Sequence, residues 1–498
     1  MQLLDRLLAA YPARQIVGDP VRPIERIVLD SRLAGPLAMF VARRGTQHDG
    51  LGYLRDAYDR GCRVVASDRL PAALPDDCTF VVADDLHAAL ARWSHALYDY
   101  PSEHLAVYGV TGTNGKTTTT YLLAQLLTGS GTPAGTLGTL GIEFGGERLP
   151  TRHTTPEAPE VAASLDWLRR RGAHAVAMEV SSHSLWWRRV EGVRFAGAVF
   201  TNLTPDHLDF HHTMDNYAHA KKRLFDMLPA DAIAVVFADS EWSSTMVADT
   251  AARVVRVGRS WDADVRIADE AFTPDGSRWT LRWESGQSAT LAMPLVGAFN
   301  VENASLAIVL LAERGYRLDR LAEAIRTASP PPGRMERYLL PNGAVAIADY
   351  AHTPDALERI LRQCRKTMPS DARLLCVFGC GGDRDRTKRP LMGAIAATHA
   401  DVVVLTSDNP RSEDPASIVA EIRAGIELVP PDKRRARFEE ILDRTAAICA
   451  AIQQAAPGDW IVVAGKGHEE YQIIGTERIA YSDRELLRSI AAGNVSKT

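Results

Sequence analysis

Tyr108 to Thr120 reads Y-G-V-T-G-T-N-G-K-T-T-T-T, a run holding the residue types that grip a triphosphate. Gly112 and Gly115 let the backbone curl until several N–H groups point at one anion. Lys116 can reach β- and γ-phosphates, and the Thr117 hydroxyl suits Mg²⁺. Thr113, Asn114 and Thr118 complete the loop. Apolar Leu105–Val107 precedes it and Tyr121–Leu127 follows, the strand–turn–helix setting that a phosphate loop requires. The helix N-terminus adds partial positive charge. Val110 stands where the common form of this loop has its first glycine, with Gly109 one residue earlier.

Further candidates lie downstream. Glu179 ends the apolar run of A-M-E-V-S-S-H, where a carboxylate can meet a cation held by Thr117. Asp206, His207, Asp209 and His211 crowd one loop after the strand-like run Gly197–Phe200. Four titratable groups at one strand end favour a metal or phosphate site over a core histidine. Asn216–Lys221 starts a helix. No N-K-x-D base reader or D-x-x-G switch follows the loop, which argues against a guanine-nucleotide switch. A small-molecule kinase would not need a third α/β domain with polar loops of its own.

The elements that must hold these residues fall into three α/β segments. Residues 1–100 form a small unit with strand-like runs at Arg26–Leu29, Met39–Ala42, Arg63–Ala66 and Thr79–Val82. Helical stretches Tyr53–Arg60 and Leu86–Tyr98 lie among them, and Asp99–Ser102 reads as a linker. Residues 101–331 carry the phosphate loop on a mostly parallel sheet that includes Ala175–Met178 and Ile233–Phe237. Val254–Leu291 alternates like antiparallel strands with a turn at Asp275-Gly276, and a helix follows at Val301–Glu313. Ser329-Pro330-Pro331-Pro332-Gly333 ends that segment stiffly. Residues 332–498 repeat the rhythm as a Rossmann-like domain with strands Ala344–Ile347, Leu374–Phe378, Val402–Thr406 and Trp460–Val463. Their carboxyl ends carry Asp349–His352, Gly379–Asp385, Ser407–Arg411 and Gly465–Glu469, where such sheets present ligands.

A net charge of −5 over 498 residues gives no reason to expect nucleic acid or an anionic membrane as partner. The basic clusters Arg384–Arg389 and Lys433–Arg437 read as solvated faces, the second more than the first. Six cysteines without C-x-x-C spacing indicate neither a disulfide framework nor a zinc site. No apolar run approaches ~20 residues, and M-Q-L-L-D-R-L-L reads as an amphipathic helix start. A cytosolic monomer without membrane insertion is expected.

Read together, the motifs resemble the Mur ligases, ATP-dependent amide-forming enzymes of peptidoglycan precursor synthesis. The resemblance runs through Asp30-Ser31-Arg32, the phosphate loop, T-T-P-E at Thr154–Glu157, E-V-S-S-H, T-N-L-T-P-D-H-L-D-F-H and Y-A-H-A-K. It continues through G-A-F-N-V-E-N at Gly297–Asn303, D-Y-A-H-T-P-D at Asp349–Asp355, G-C-G-G-D-R-D, D-N-P-R-S-E-D-P at Asp408–Pro415 and G-K-G-H-E. The family loop, G-T-x-G-K-[TS], accounts for Val110.

The resemblance implies a site. Lys116 and Thr117 would grip ATP, and Thr117, Glu179 and His207 would hold Mg²⁺. Lys221 would be carried as a carbamate, N6-carboxylysine, which needs a neutral amine and hence a lowered pKa. Adenine and ribose contacts carry over to Asn300, Asn303, Arg334 and Asp349. Ser31 and the Thr46–Gly50 loop match the uridine region, while Thr154, Thr155, Ser181 and Arg189 match contacts to the muramoyl dipeptide. D-N-P-R resembles the members that add meso-diaminopimelate to UDP-N-acetylmuramoyl-L-alanyl-D-glutamate. Arg411 can bind the distal carboxylate bidentately. Asp408, Asn409, Arg389, Gly465 and Glu469 match its partners, Glu469 suiting the distal ammonium. Trp186, Trp187, Ser184 and His212 depart from the pattern, and the two tryptophans with the altered first-domain loops are the only support for a paralogue joining another acid and amine. Folylpolyglutamate synthetase shares only the loop style. A non-catalytic nucleotide-binding scaffold would have no need of Lys116, Glu179, His207 and Lys221 together. His352 receives no role.

Overall fold

A computed structural model describes residues 1–45, 48–73 and 75–494. The first sheet has five strands in the order Gln15–Val17, Thr79–Val82, Val64–Ser67, Ala38–Ala42, Arg26–Val28. All neighbours are parallel except the first pair. Its inner strands, T-F-V-V, V-V-A-S and A-M-F-V-A, are buried along their whole length, as strands covered on both faces must be. Asp99–Ser102 is not a free linker. Pro101 and Ser102 are buried in a 3₁₀ turn, and the Ser102 hydroxyl accepts from the Arg194 amide at 3.0 Å.

The second sheet has eleven strands. Its parallel heart runs Ala134–Gly138, Ala175–Glu179, Ala106–Thr111, Phe195–Phe200, Ile233–Phe237, Arg253–Gly258. Antiparallel strands close both edges, Gly141–Phe144 and Glu147–Leu149 on one side and Val265–Thr273, Gly276–Trp283 and Ser288–Met293 on the other. Antiparallel pairing therefore begins at Val265 rather than at Val254, because Arg253–Gly258 pairs parallel with both its neighbours. The register fixes what meets what. Glu179 pairs with Val110 and Phe200 with Thr111, so the loops after three adjacent strands open at one sheet edge.

The third sheet runs Glu336–Leu339, Val345–Asp349, Trp460–Ala464, Leu374–Phe378, Val402–Leu405, Arg437–Glu440, parallel except for its first pair. The four sequence-predicted strands are all present. All five parallel strands point their polar ends the same way. No helix among the described residues is long and apolar enough to cross a membrane.

Candidate active site

The phosphate loop joins strand Ala106–Thr111 to helix Lys116–Gly129. Gly112 has φ +149°, and a Cβ there would lie 1.9 Å from the Thr201 hydroxyl oxygen, so no side chain fits. Asn114 is fixed through its backbone. Its amide donates to Asn202 Oδ1 at 3.0 Å, and its carbonyl accepts from Thr201 Oγ1 at 2.6 Å. Thr118 is buried in the first helical turn.

Two ammonium groups share one carbonyl in this turn. Lys116 Nζ donates to the carbonyls of Gly112 and Thr113, each at 2.8 Å. Lys221 Nζ, from helix Met214–Asp226, donates to the same Gly112 oxygen at 2.8 Å and lies 4.5 Å from the centre of the Tyr217 ring. Burial lowers the pKa of both, and the neighbouring Lys116 charge pushes Lys221 further down, well below the ordinary lysine range. No carboxylate forms an ion pair with either lysine among the described residues. The adjacent Lys222 is different: Asp226 and Asp249 pair with it at 2.5 and 2.6 Å.

Glu179 faces the loop from the next strand. Its Oε2 accepts from Thr117 Oγ1 at 3.0 Å and from Thr139 Oγ1 at 3.2 Å, and its Oε1 accepts from the Thr139 amide at 2.8 Å. A hydroxyl beside a carboxylate is the oxygen pair that a hard cation takes. On the other side His207 sits at φ +54°, its Nε2 3.5 Å from Asp206 and its ring centre 4.8 Å from that of His183. Burial lowers the pKa of His207 and takes His183 and His211 down to about 4, so these rings are neutral at pH 7. Among the described residues no three His, Cys, Asp or Glu side chains converge as a metal site.

The hinge brings further groups to the same edge. Arg334 Nη2 donates to Thr117 Oγ1 at 3.4 Å, with its guanidinium over the Tyr350 ring. Asp349 accepts from the amides of Met335 and Ala351, both at 2.8 Å, and burial raises its pKa. Asn300 and Asn303 are buried on helix Ala298–Glu313, and Asn300 donates to the Val296 carbonyl at 2.8 Å. Lys388 Nζ donates to the His352 carbonyl at 2.9 Å.

Residues expected to hold the acid substrate line the join between the first two sheets. Thr155 Oγ1 donates to the Glu179 carbonyl at 2.9 Å and accepts from the Ser181 amide at 3.0 Å. Thr154 accepts from Thr139 at 3.1 Å. Arg189 donates to the Thr155 carbonyl and to Glu157, whose carboxylate also takes both Arg43 nitrogens at 2.9 Å. Ser31 is buried beside Asp30, whose carboxyl Arg32 holds at about 2. Of the Thr46–Gly50 loop, Thr46 and Gln47 lie outside the described residues. Trp187 packs on His87 of the first sheet's helix with ring centres 5.1 Å apart, and Trp186 is 43% exposed. Ser184 is buried, its hydroxyl on the Ser181 carbonyl at 2.7 Å, and His212 sits at φ +67°.

A separate polar cluster forms at the ends of the third sheet. Lys466, fully buried, donates to Asn409 Oδ1 at 3.0 Å and lies 3.3 Å from Asp408 and 3.8 Å from Glu469. Asn409 Nδ2 donates to Glu469 at 2.9 Å, and burial raises the Glu469 pKa. Gly465 has φ +115°, its Cβ position 3.7 Å from Asp408 Oδ2. Arg411 sits at φ +51° and donates to the Gly382 carbonyl at 2.8 Å. No carboxylate pairs with it among the described residues. Arg389 is fully buried, bound to Glu413 and Glu421 at 2.8–2.9 Å and donating to the Gly381 carbonyl at 3.2 Å, one residue from the carbonyl that Arg411 holds. Its place is behind the loop, so Arg384–Arg389 is not a purely solvated face. Sequence reasoning missed Thr139 and Lys466 as parts of these sites. Lys466 lay in the quoted G-K-G-H-E, while a lone threonine after a strand carries no signal.

Residues 110–311 match the Mur ligase middle domain and residues 333–467 the Mur ligase glutamate ligase domain. The chain belongs to the Mur ligases, ATP-dependent ligases that form carbon–nitrogen bonds. It is 42% identical to UDP-N-acetylmuramoyl-L-alanyl-D-glutamate--2,6-diaminopimelate ligase of Chlorobaculum tepidum, over 98% of this chain and 97% of that one. The protein of the same name from Geobacter metallireducens is 40% identical over 94% of each chain. A solved structure of a ligase of this name superposes with a TM-score of 0.70 at 32% identity, covering 98% of both chains.

Proposed function

We propose that this chain joins meso-diaminopimelate to UDP-N-acetylmuramoyl-L-alanyl-D-glutamate at the expense of ATP, a step of peptidoglycan precursor and cell-wall synthesis. Full-length similarity to ligases of that name supports the reading. The observation that carries it is the pair of buried ammonium groups, Lys116 and Lys221, on the Gly112 carbonyl beside the Thr117–Glu179 pair. Neither lysine has a carboxylate ion pair among the described residues, so a charged Lys116 calls for an anion and Lys221 favours its neutral amine. A triphosphate answers for Lys116. The Lys221 nitrogen, neutral at its lowered pKa, would bond to the carbon of CO₂ and release one proton to solvent, which leaves a carbamate anion at this position. Bound Mg²⁺ would supply charge neutralisation on the phosphates, with Thr117, Glu179, His207 and carboxylated Lys221 as its holders.

In the first step a glutamyl carboxylate oxygen bonds to the γ-phosphorus as the bond to ADP breaks, giving an acyl phosphate. Lys116 and the loop amides meet the charge that develops on the transferred oxygens. In the second step the amine attacks the acyl carbon, phosphate leaves, and the amine gives up a proton. Thr154, Thr155, Ser181 and Arg189 hold the acid, with Ser31 on the uridine side. Asn300, Asn303, Arg334 and Asp349 hold adenosine. Arg411 and Glu469 bind the distal carboxylate and ammonium, with Asp408, Asn409 and Gly465 shaping the cavity and Arg389 bracing its loop. Residues 1–100, 101–331 and 332–498 act as sugar-nucleotide, ATP and amino-acid domains of a cytosolic monomer.

The test is ADP release with UDP-N-acetylmuramoyl-L-alanyl-D-glutamate, ATP and Mg²⁺, with meso-diaminopimelate compared against L-lysine. Turnover with the first amine alone is expected, because lysine leaves Arg411 unpaired. Equal turnover would sink the specificity reading. None with either would favour a paralogue for a different acid and amine.

A further inference from the structure

Helix Pro354–Thr367 belongs to the third sheet's layer, and Leu357, Ile360, Leu361 and Cys364 bury its inner face there. Asp355, Arg359 and Gln363 recur every fourth residue and so share another face, spanning about 12 Å. That face touches the central domain at both ends. Asp355 Oδ2 accepts from Asn114 Nδ2 of the phosphate loop at 2.8 Å and from Thr204 Oγ1 at 3.4 Å. Eight residues on, Gln363 Oε1 accepts from the Ala298 amide at 3.3 Å, at the start of the helix bearing Asn300 and Asn303. Gly297 leaves room for it, since a Cβ there would lie 2.8 Å from the Gln363 side chain. Between them Arg359 pairs with Asp355 at 3.1 Å, and its charge acts on half-buried Glu302, which Arg259 pairs directly.

We propose that this face is a docking strip that reads whether the third domain is seated on the nucleotide site, with Asp355 as a positioning residue acting through Asn114. The backbone of Asn114 is already tied to Thr201 and Asn202, so its side chain is the free handle on the turn. Arg359 counters the Asp355 charge, which leaves an acceptor oxygen as what the phosphate loop receives. Seating the third domain thereby sets the loop, and a loop set early aligns the γ-phosphate only when the amine-bearing domain is in place.

The inference rests on the ligase reading, and its test separates the two. Wild-type protein that releases no ADP with the three substrates sinks that reading. With wild-type turnover in hand, Asp355→Ala is expected to lower kcat about ten- to a hundred-fold, the cost of a slightly misplaced reacting group. Asp355→Asn keeps the acceptor oxygen and is expected to stay within about three-fold of wild type. In an Asn114→Ala background, Asp355→Ala is expected to cost less than about two-fold more, because the two act as one contact. Additive losses, an asparagine variant as poor as the alanine, or an alanine variant at the wild-type rate would overturn the proposal. So would a fall in thermal midpoint that accounts for the lost activity, which would make Asp355 merely structural.

Discussion

Two fully buried lysines stand in different domains, Lys221 within a helix and Lys466 just past a strand end, and their surroundings could hardly differ more. Lys466 has Asp408 at 3.3 Å, Glu469 at 3.8 Å, Asn409 Oδ1 at 3.0 Å and the Tyr471 carbonyl at 2.8 Å. Lys221 has one carbonyl, an aromatic face and a like charge close by. Burial lowers the pKa of both. Asp408 and Glu469 oppose the shift of Lys466 at ion-pair distance, whereas at Lys221 the Lys116 charge adds to it and Asp206 opposes it without forming an ion pair. An ammonium supplied with anions is a brace for the groups around it. One left without them favours its neutral form, and a neutral amine is a nucleophile. The second arrangement is costly to the fold and persists where it serves chemistry.

The sharpest way to break this contrast is to remove each lysine. Lys221→Ala is expected to lower ADP release by at least about 10³-fold, on the scale of losing a main stabilising group. Added short carboxylates should restore part of it by standing in for the carbamate. Near-normal activity in this variant would remove the carbamate from the mechanism. Lys466→Met should instead act on stability, because it leaves buried Asp408 and half-buried Glu469 uncompensated. A loss of about 3–5 kcal/mol in denaturant titrations is expected. An unchanged midpoint would mean that Lys466 braces nothing.

The sequence made one of these lysines legible and not the other. Lys221 stands in Y-A-H-A-K, and the phosphate loop, Glu179 and the strands that carry them are written in contiguous runs. Local spacing captures such features, and the four strands of the third domain were readable for the same reason. Partners 58 residues apart, such as Asp408 and Lys466, depend on which strand ends the topology brings together. Arg389, expected at the amino acid, meets Glu413, Glu421 and the Gly381 carbonyl, partners that no local pattern in the sequence connects to it. Strand direction is equally silent, which is why Arg253–Gly258, parallel to both its neighbours, was grouped with the antiparallel pairing that starts beyond it. Short polar-edged strands such as Gln15–Val17 and Glu147–Leu149 carried too little alternation to register.

A third buried base sharpens the comparison with a smaller effect. His95, on helix Leu86–Leu97, is fully buried with neither ring nitrogen hydrogen-bonded, packed where Gly192 leaves it room. It has neither the anions of Lys466 nor a reaction to undergo, so it can only shed its proton, and burial takes its pKa from 6.5 to about 4. Between those values the unfolded chain binds the extra proton. Stability from this group is therefore complete above about pH 6.5 and is lost as the pH falls toward 4, by about 3 kcal/mol in all. His95→Leu should flatten the acid limb of a stability–pH curve by about that amount, read from denaturant midpoints between pH 7.5 and 4. Parallel curves for the two proteins would mean that His95 is solvated or paired when protonated. A flattened limb would mark it as a buried base held neutral by burial alone, where at Lys221 burial is joined by a neighbouring charge.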